Sequence, residues 1–155
     1  MFPRYDHMNI NYVKGDATQP QGEGKKIIVH ICNDIGKFGA GFSGAISNRW
    51  IEPEAVYRAE KNYSLGNVQF VQVSEDITVA NMIAQRGVRT PENMTPINYA
   101  AVRACLNEVN KLAYTSGATI HMPRIGCGLA GGSWDKIEEI IHDVASVDVY
   151  VYDLK

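Results

Sequence analysis

The amino-acid sequence predicts an α/β fold in which helices cover both faces of a largely parallel sheet. Short apolar runs alternate with helical patterns along the chain, as repeated strand–helix units do. Residues 27–32 are almost continuously apolar, which is typical of a strand at the centre of a parallel sheet. The length of 155 residues suits one domain with a core that needs no disulfide or metal. We therefore expect residues 1–155 to form one domain.

The first half of the chain predicts four strands and two short helices. Residues 9–14 alternate apolar and polar side chains, as a half-buried strand does. Two later strands are joined by a short polar turn, which predicts a hairpin. In chain order, the predicted elements are strands over 9–14 and 27–32, helices over 43–50 and 54–63, and strands over 67–73 and 77–83.

The second half predicts two longer helices, each followed by a strand. Thr95 is a good N-cap, and Pro96 suits the first helical position. Gly117 is placed to end this helix in a left-handed conformation. Ser133 is the predicted N-cap of the last helix. Apolar stripes mark the buried faces at Ile97, Ala101, Cys105, Val109 and Leu112, and at Ile137, Ile140, Ile141 and Val144. The predicted strands cover 118–122 and 147–152.

Charge and composition exclude several classes of function. Lys and Arg total 15 against 17 Asp and Glu, so the chain lacks the basic excess typical of a nucleic-acid backbone binder. No apolar run approaches the ~20 residues that span a membrane, and the first residues lack the apolar core of a signal peptide. Three cysteines without CxxC spacing argue against a disulfide scaffold or a zinc site. We expect a cytoplasmic protein with no metal, no membrane partner and no non-specific nucleic-acid binding.

Glycine-rich loops follow two of the predicted strands, over residues 33–44 and 123–134. Glycine lets backbone N–H groups approach an anion, and the next helix points its positive end at it. In parallel sheets ligands bind beyond the carboxyl ends of the strands. Each loop alone is equally typical of a tight turn. Two such loops at one end of a sheet favour a ligand with two phosphates, such as a nucleotide diphosphate.

Two smaller features have competing interpretations. Residues 39–44 fit G-x-G-x-x-G, but the strand ends near Cys32, several residues too early for a dinucleotide fold. Glu60 has the spacing of the acid that such a fold needs, yet it falls in a helical pattern. No redox cofactor is therefore expected. Asp16, after the first strand, is either a turn former or an acceptor for an amino group such as that of adenine.

Residues 13–16, 29–33 with 39–41, and 122–129 together resemble a macrodomain, in the right order and over nearly the whole chain. The resemblance is closest to the branch with terminal ADP-ribose protein glycohydrolase, the DNA ADP-ribosyl glycohydrolase antitoxins and the yeast-type ADP-ribose-1''-phosphate phosphatase. It implies a three-layer α/β/α fold with a mixed, largely parallel central sheet. It also implies that ADP-ribose binds across the end of this sheet.

The resemblance further implies individual roles. Asp16 would accept the adenine amine, and Asn33 would contact the distal ribose. Tyr152 could stack on adenine or simply pack in the core as a strand aromatic. The other ligand-binding positions that it implies are Ala17, Gly39, Ala40, Gly41, Ser43, Gln85, Gly126, Cys127, Gly128, Leu129, Ala130 and Gly131.

The chain departs from the glycohydrolases at the residues that do their chemistry. Gln85 stands where this branch has a lysine, and Ala130 where it has an acid. Glutamine cannot form an adduct with a ribose aldehyde, and alanine cannot act as a base. Another macrodomain class has aspartate where this chain has Ser43. Neither familiar route for removing ADP-ribose from protein or DNA is therefore intact.

His30 keeps the phosphatase interpretation open, because the phosphatase relatives share a histidine at the end of this strand. A histidine can act as general acid or base on a phosphomonoester or its attacking water. A core histidine held by hydrogen bonds is the competing interpretation. The predicted function is binding of ADP-ribose and hydrolysis of ADP-ribose 1''-phosphate, with His30 and Asn33 as catalytic residues. A non-catalytic ADP-ribose-binding module and a glycohydrolase acting on ADP-ribosylated protein or nucleic acid are the alternatives.

Overall fold

The computed structural model describes residues 9–155, which form six strands and four helices. In chain order they are β1 (Ile10–Lys14), β2 (Lys26–Asn33), α1 (Gly41–Arg49), α2 (Glu52–Arg58), β3 (Val68–Gln72), β4 (Ile77–Gln85), α3 (Tyr99–Ser116), β5 (Thr119–Met122), α4 (Trp134–Val144) and β6 (Val149–Asp153). The predicted α/β class is confirmed.

The six strands form one mixed sheet in the order β1-β6-β5-β2-β4-β3. The pair β3–β4 is antiparallel and is the predicted hairpin, while the other four neighbouring pairs are parallel. Strand β2 lies near the centre, and Ile31 is its one residue that is not buried. Its nearly continuous apolar sequence reflects this position, because both faces of a central parallel strand are covered.

Helices cover both faces of the sheet, which gives three layers. Helices α3 and α4 pack on the face that carries Ile27 and Val29, in a single large apolar cluster. On the other face α1 and α2 cover two small clusters, one around Ile28 and one around Cys32. His30 is the strand residue between Ile28 and Cys32 on this face, since side chains alternate along a strand. A buried polar position therefore separates two apolar clusters.

The two glycine-rich loops leave the sheet at the same end, as predicted. Strands β2 and β5 are parallel neighbours, with Ile28 in register with His121. Strand β4 runs parallel to β2 on its other side, so its end at Gln85 reaches the same edge. The carboxyl ends of three adjacent strands therefore surround one region.

Helix α3 begins later than its sequence predicts, and this prediction was wrong. Its N-cap is Asn98, whose side chain accepts a hydrogen bond from the N–H of Ala101. Residues 96–98 are held instead by bonds to other segments: the carbonyl of Pro96 accepts from Arg86, and the N–H of Asn98 donates to Ala84. These contacts with the end of β4 come from distant parts of the chain, so local capping rules do not foresee them.

Other boundaries differ by a few residues. Helix α1 begins at Gly41 rather than residue 43, and α2 ends at Arg58 rather than residue 63. Ser133 is the N-cap of α4, but its side chain makes no capping bond. The left-handed conformation predicted for Gly117 is confirmed by φ 73° and ψ 32°.

Within residues 9–155, no helix is long and apolar enough to cross a membrane. The same part of the chain contains no group of three or more His, Cys, Asp or Glu side chains placed to hold a metal ion. Cys32, Cys105 and Cys127 are all free thiols.

Candidate functional site

A cleft of about 440 Å³ opens where β2, β4 and β5 end. The end of β2 and the first glycine-rich loop form one side, and the second loop forms the other. Residues just after β4 complete the wall. The lining residues are His30, Ile31, Cys32, Asn33, Lys37, Phe38, Gly39, Ala40, Gly41, Phe42, Ser43, Gln85, Val88, Arg89, Pro123, Arg124, Ile125, Gly126, Gly128, Leu129 and Ala130.

The side chains lining the cleft favour an anionic ligand. They include Lys37, Arg89 and Arg124, and the lining residues include no Asp or Glu. The Arg124 guanidinium is held by both carboxylate oxygens of Asp153, at 2.7 and 3.0 Å. The carboxylate raises the pKa of Arg124 further, so this side chain stays charged. Arg124 is therefore partly neutralised, whereas Lys37 and Arg89 project from exposed positions.

The second loop presents a row of backbone N–H groups. Those of residues 127–130 donate to no acceptor within residues 9–155. The loop is closed behind them, because the N–H of Gly132 donates to the carbonyl of Gly126 at 2.6 Å. Successive unpaired N–H groups in a tight loop form a binding site for an anion such as phosphate.

Two positions of this loop are occupied by glycine for different structural reasons. Gly126 has φ +77°, and a Cβ there would lie 2.3 Å from Cδ1 of Ile97. Gly128 does not have a positive φ, and a Cβ there would meet no atom within 4 Å. The left-handed backbone therefore requires glycine at 126, where the end of the Ile97 side chain would also have to shift. At 128 the protein itself leaves open space that faces the cleft.

Asn33 organises the first loop from within. Its Oδ1 accepts from the N–H groups of Ile35 and Lys37, at 3.0 and 3.1 Å, and its Nδ2 donates to the carbonyl of Lys37 at 2.6 Å. The Tyr57 hydroxyl lies 2.7 Å from the same Oδ1. Asn33 lines the cleft, but both polar atoms of its amide are occupied by the loop. This side chain thus holds the shape of the loop.

His30 lies at the base of the cleft and is 1% exposed. Its Nδ1 lies 2.9 Å from the hydroxyl of Ser43, and its Nε2 lies 2.5 Å from Oδ1 of Asn81. The rings of Phe38 and Phe42 meet the imidazole edge-on, at centroid distances of 5.5 and 6.4 Å. Burial lowers the pKa of His30 to about 4, although the hydrogen bond to Oδ1 of Asn81 opposes this shift. The ring is therefore neutral at physiological pH.

The hydrogen bonds of Asn81 determine which nitrogen of His30 carries the proton. Nδ2 of Asn81 donates to the carbonyl of Pro53 and to Oε1 of Gln69, at 3.0 and 3.1 Å. Oδ1 of Asn81 therefore faces His30 and can only accept, so Nε2 of the imidazole bears the hydrogen. Nδ1 is then the acceptor, and the Ser43 hydroxyl donates to it.

The structure brings most of the predicted site residues together and leaves some outside the cleft wall. Those that line it are His30, Asn33, Gly39, Ala40, Gly41, Ser43, Gln85, Gly126, Gly128, Leu129 and Ala130. Those that do not are Asp16, Ala17, Cys127, Gly131 and Tyr152. The side chain of Gln85 donates to the carbonyl of Gly87 at 2.9 Å, and Ala130 is buried.

Asp16 and Tyr152 lie near each other beside the end of β1. Asp16 is exposed, and its Oδ1 accepts from both the N–H and the hydroxyl of Thr18, so it forms a turn. Tyr152 is 3% exposed. Its hydroxyl accepts from the N–H of Gln21 and contacts Nδ1 of His121, each at 2.8 Å. The ring of Tyr152 is thus part of the interior.

Sequence reasoning missed Asn81. Asn81 is fully buried within an otherwise apolar strand, and a polar residue at such a position is the signal that could have found it. Arg89 is an exposed loop residue that also lines the cleft. Only the packing of the segment after β4 against the first loop places it there.

Solved structures of similar fold include two with high sequence identity. One, of a protein of unknown function from Bacteroides thetaiotaomicron, is 49% identical with a TM-score of 0.89, and the match covers 94% of this chain and 98% of that one. A macrodomain protein from Streptomyces coelicolor is 45% identical with a TM-score of 0.80, covering 93% and 98%. Thermosipho africanus DarTG in complex with ADP-ribose is 17% identical with a TM-score of 0.72, covers 95% and 42%, and shares the fold.

Curated relatives include proteins of very different length. The mouse chromodomain-helicase-DNA-binding protein 1-like is 31% identical over 162 residues, which is 95% of this chain but 18% of that protein. This chain thus spans less than a fifth of that relative. The ADP-ribose 1''-phosphate phosphatase of Candida albicans is 26% identical over 153 residues, covering 92% of this chain and 98% of that protein. No protein-family model matches the chain.

Proposed function

Because this chain belongs to the macrodomain family, we propose that it binds ADP-ribose and hydrolyses the terminal phosphate of ADP-ribose 1''-phosphate. The observation that carries the proposal is the combination, in one cleft, of unpaired backbone donors, basic side chains and a neutral buried histidine. The first two features fit a diphosphate. The third supplies a base within reach of the cleft wall.

Binding is assigned to the two loops. The N–H groups of residues 127–130 would hold the diphosphate, and the first loop, shaped by Asn33, would enclose the distal ribose. Lys37 and Arg89 would balance the charge of the terminal phosphate, since lysine and arginine pair well with phosphate oxygens. Asp16, outside the cleft lining, would accept the amine of adenine.

Hydrolysis requires one bond to form at phosphorus and one to break. An oxygen nucleophile attacks the terminal phosphorus, and the bond from phosphorus to the ribose oxygen breaks. The products are inorganic phosphate and ADP-ribose. His30 would take the proton from the nucleophile through its Nδ1 and return it to the leaving oxygen, which is general base and general acid catalysis. The basic side chains and loop N–H groups would stabilise the charge on the phosphoryl oxygens.

A second candidate function is ADP-ribose binding without turnover. The observation that favours it is that both ring nitrogens of His30 are already hydrogen-bonded within the protein. A histidine satisfied in this way can serve packing alone. The curated relatives include a phosphatase that the match covers almost completely and a helicase of which the matching segment is a small part.

Phosphorus NMR with ADP-ribose 1''-phosphate tests the two functions directly. If the chain is a phosphatase, the signal of the phosphomonoester declines and that of inorganic phosphate grows, while the diphosphate signals of ADP-ribose remain. If it is a binding module, the substrate signals shift or broaden with no inorganic phosphate released. Calorimetric titration with ADP-ribose, which has no phosphomonoester, measures binding independently. Failure to bind ADP-ribose would contradict both candidates.

A further inference from the structure

A hydrogen-bonded row runs from the wall of the cleft into the core. In register, Gln69 of β3 lies beside Asn81 of β4, and Asn81 lies beside His30 of β2. The row continues from His30 to Ser43 in the first turn of α1, and Ser43 is half-buried at the cleft wall. Four side chains from four elements are thereby connected, and the last of them is accessible to a ligand.

Each side chain of the row is oriented by a hydrogen bond on its side away from the cleft. Gln69 donates to the carbonyl of Val56 at 3.4 Å, which turns its Oε1 toward Asn81. Asn81 in turn presents Oδ1 to Nε2 of His30. The acceptor Nδ1 of His30 is therefore directed at the Ser43 hydroxyl at 2.9 Å, while the buried sulfur of Cys32 lies farther away, at 4.0 Å. A hydroxyl bonded to a histidine, whose other nitrogen is held by a third group, is the arrangement that activates a nucleophile.

We propose that Ser43 is the nucleophile of the cleft, that His30 is its base, and that Asn81 positions His30 in the required tautomer. This inference rests on the proposed phosphatase function and adds a covalent step to it. Asn81 acts through His30, so it is a positioning residue. A nucleophile, a histidine and an asparagine that orients it also operate together in papain-like proteases, where the nucleophile is a thiol.

The proposed step balances as a double displacement. The Ser43 oxygen forms a bond to the terminal phosphorus as its proton passes to Nδ1 of His30, and the bond from phosphorus to the ribose oxygen breaks. His30 returns the proton to that oxygen, which leaves as the hydroxyl of ADP-ribose. Water then attacks the phosphoserine, again giving a proton to His30. Inorganic phosphate is released as the proton goes back to the Ser43 oxygen.

The surroundings of Ser43 suit this step. Phe38 and Phe42 pack against the imidazole and exclude water from it. Lys37 and Arg89, which are assigned to the terminal phosphate, line the same cleft as Ser43. Ser47, one turn later in α1, differs because its hydroxyl donates to the carbonyl of Gly44 at 3.0 Å. It offers a matched control on the same helix.

Labelling with a fluorophosphonate tests the activation of Ser43 without the natural substrate. The probe forms a covalent bond to activated serine oxygens, and peptide mass mapping locates it. We expect labelling at Ser43 and none at Ser47, protection by ADP-ribose, and loss of labelling in Ser43→Ala. His30→Gln, which keeps a polar side chain but cannot take the proton, should slow labelling by at least ~100-fold. Labelling of Ser43 no faster than that of Ser47 would overturn the proposal.

Turnover of ADP-ribose 1''-phosphate separates failure of this inference from failure of the proposed function. We expect Ser43→Ala to lose phosphate release while it still binds ADP-ribose, and Ser47→Ala to retain both. Phosphate release by Ser43→Ala at the parent rate would show that Ser43 is not the nucleophile. The proposed phosphatase function would be unaffected by that result. If the parent protein releases no phosphate but Ser43 is labelled selectively, then Ser43 is an activated nucleophile and ADP-ribose 1''-phosphate is not its substrate.

Discussion

The structure buries two histidines, His30 at the base of the cleft and His121 in β5 beside β6. The two differ in the groups that surround them. Each is at most 1% exposed, and each has both ring nitrogens hydrogen-bonded. Burial lowers the pKa of each to about 4, helped at His121 by the charge of Lys26. By protonation chemistry alone the two are equivalent.

Their partners distinguish them. His30 contacts Ser43, which lines the cleft. His121 contacts Thr119 and Tyr152, which do not line it. Its ring also stacks on Tyr150 at 5.0 Å. A lowered histidine pKa is therefore no mark of catalysis by itself, because burial produces it in both places. What distinguishes a candidate base is a path for its proton to a surface that a ligand can reach.

The largest expected difference between the histidines is in turnover. His30→Gln should lower phosphate release from ADP-ribose 1''-phosphate by ~10²–10⁴-fold, the usual contribution of a general base. His121→Gln should leave the rate of the folded protein unchanged, because no partner of His121 lines the cleft. Phosphorus NMR measures both rates. An equal loss of phosphate release in the two variants would mean that both substitutions act by destabilising the fold, and that His30 is not a general base.

The two histidines should behave alike in acid unfolding. Each binds a proton in the unfolded chain below its ordinary pKa of 6.5 but in the folded protein only near 4. The unfolded state thus holds more protons in this range, and stability falls as the pH drops from 6.5 toward 4. Each histidine should account for about 3 kcal/mol of this loss.

Urea unfolding of the parent and of each histidine variant, at several pH values across this window, measures the effect. Each variant should lose stability less steeply than the parent as the pH falls, and by a similar amount. Carboxylates titrate in the parent and variants alike, so the difference isolates the histidine. A variant with the parent's full pH dependence would show that its histidine is already protonated in the folded state or exposed to water.

Two glycines of the second loop give a second comparison: Gly126 is closely surrounded by side chains, whereas Gly128 is open. Gly126→Ala should destabilise the fold by about 2 kcal/mol, because its Cβ would overlap Ile97 and its φ of +77° strains any L side chain. Gly128→Ala should change stability by less than about 0.5 kcal/mol and weaken ADP-ribose binding. Thermal unfolding and calorimetric titration measure the two quantities. Unchanged affinity in Gly128→Ala would place the diphosphate elsewhere.

The smallest effect on ADP-ribose binding is expected at Tyr152. Tyr152→Phe removes the hydroxyl that contacts His121 and accepts from the N–H of Gln21. It should cost about 1–2 kcal/mol of stability, the cost of unsatisfied buried partners. ADP-ribose affinity should stay the same, because the hydroxyl is directed at interior groups. Loss of affinity in this variant, with the fold intact, would mean that the hydroxyl contacts the ligand.

The histidine pair also shows where sequence reasoning succeeds. His30 follows a run of buried apolar residues and precedes a glycine-rich loop, and that local pattern is enough to place it at the ligand end of the sheet. His121 lies in the shorter strand β5. Both loops, the hairpin and the order of strands and helices were likewise predictable, because each depends on residues close together in the chain.

The contacts of these histidines were not predictable. Ser43, Asn81 and Gln69 are separated from His30 by 13 to 51 residues, and their meeting depends on strand register and on how α1 packs. The predicted start of α3 was wrong for the same reason, because hydrogen bonds to β4 hold the segment before Asn98 in an extended form. Local propensity is weak compared with a set of hydrogen bonds made by the folded protein.

Sequence by itself determined the α/β class, the parallel centre of the sheet and the placement of both glycine loops at one end. These follow from periodicity, from glycine's backbone freedom and from the geometry of parallel strands, all of which act locally. Only the tertiary structure decided that Asn33 shapes its loop, that Tyr152 belongs to the interior, and that His30 directs its free acceptor at Ser43. Those outcomes depend on which buried polar groups become neighbours, because every buried donor and acceptor needs a partner and the fold selects it.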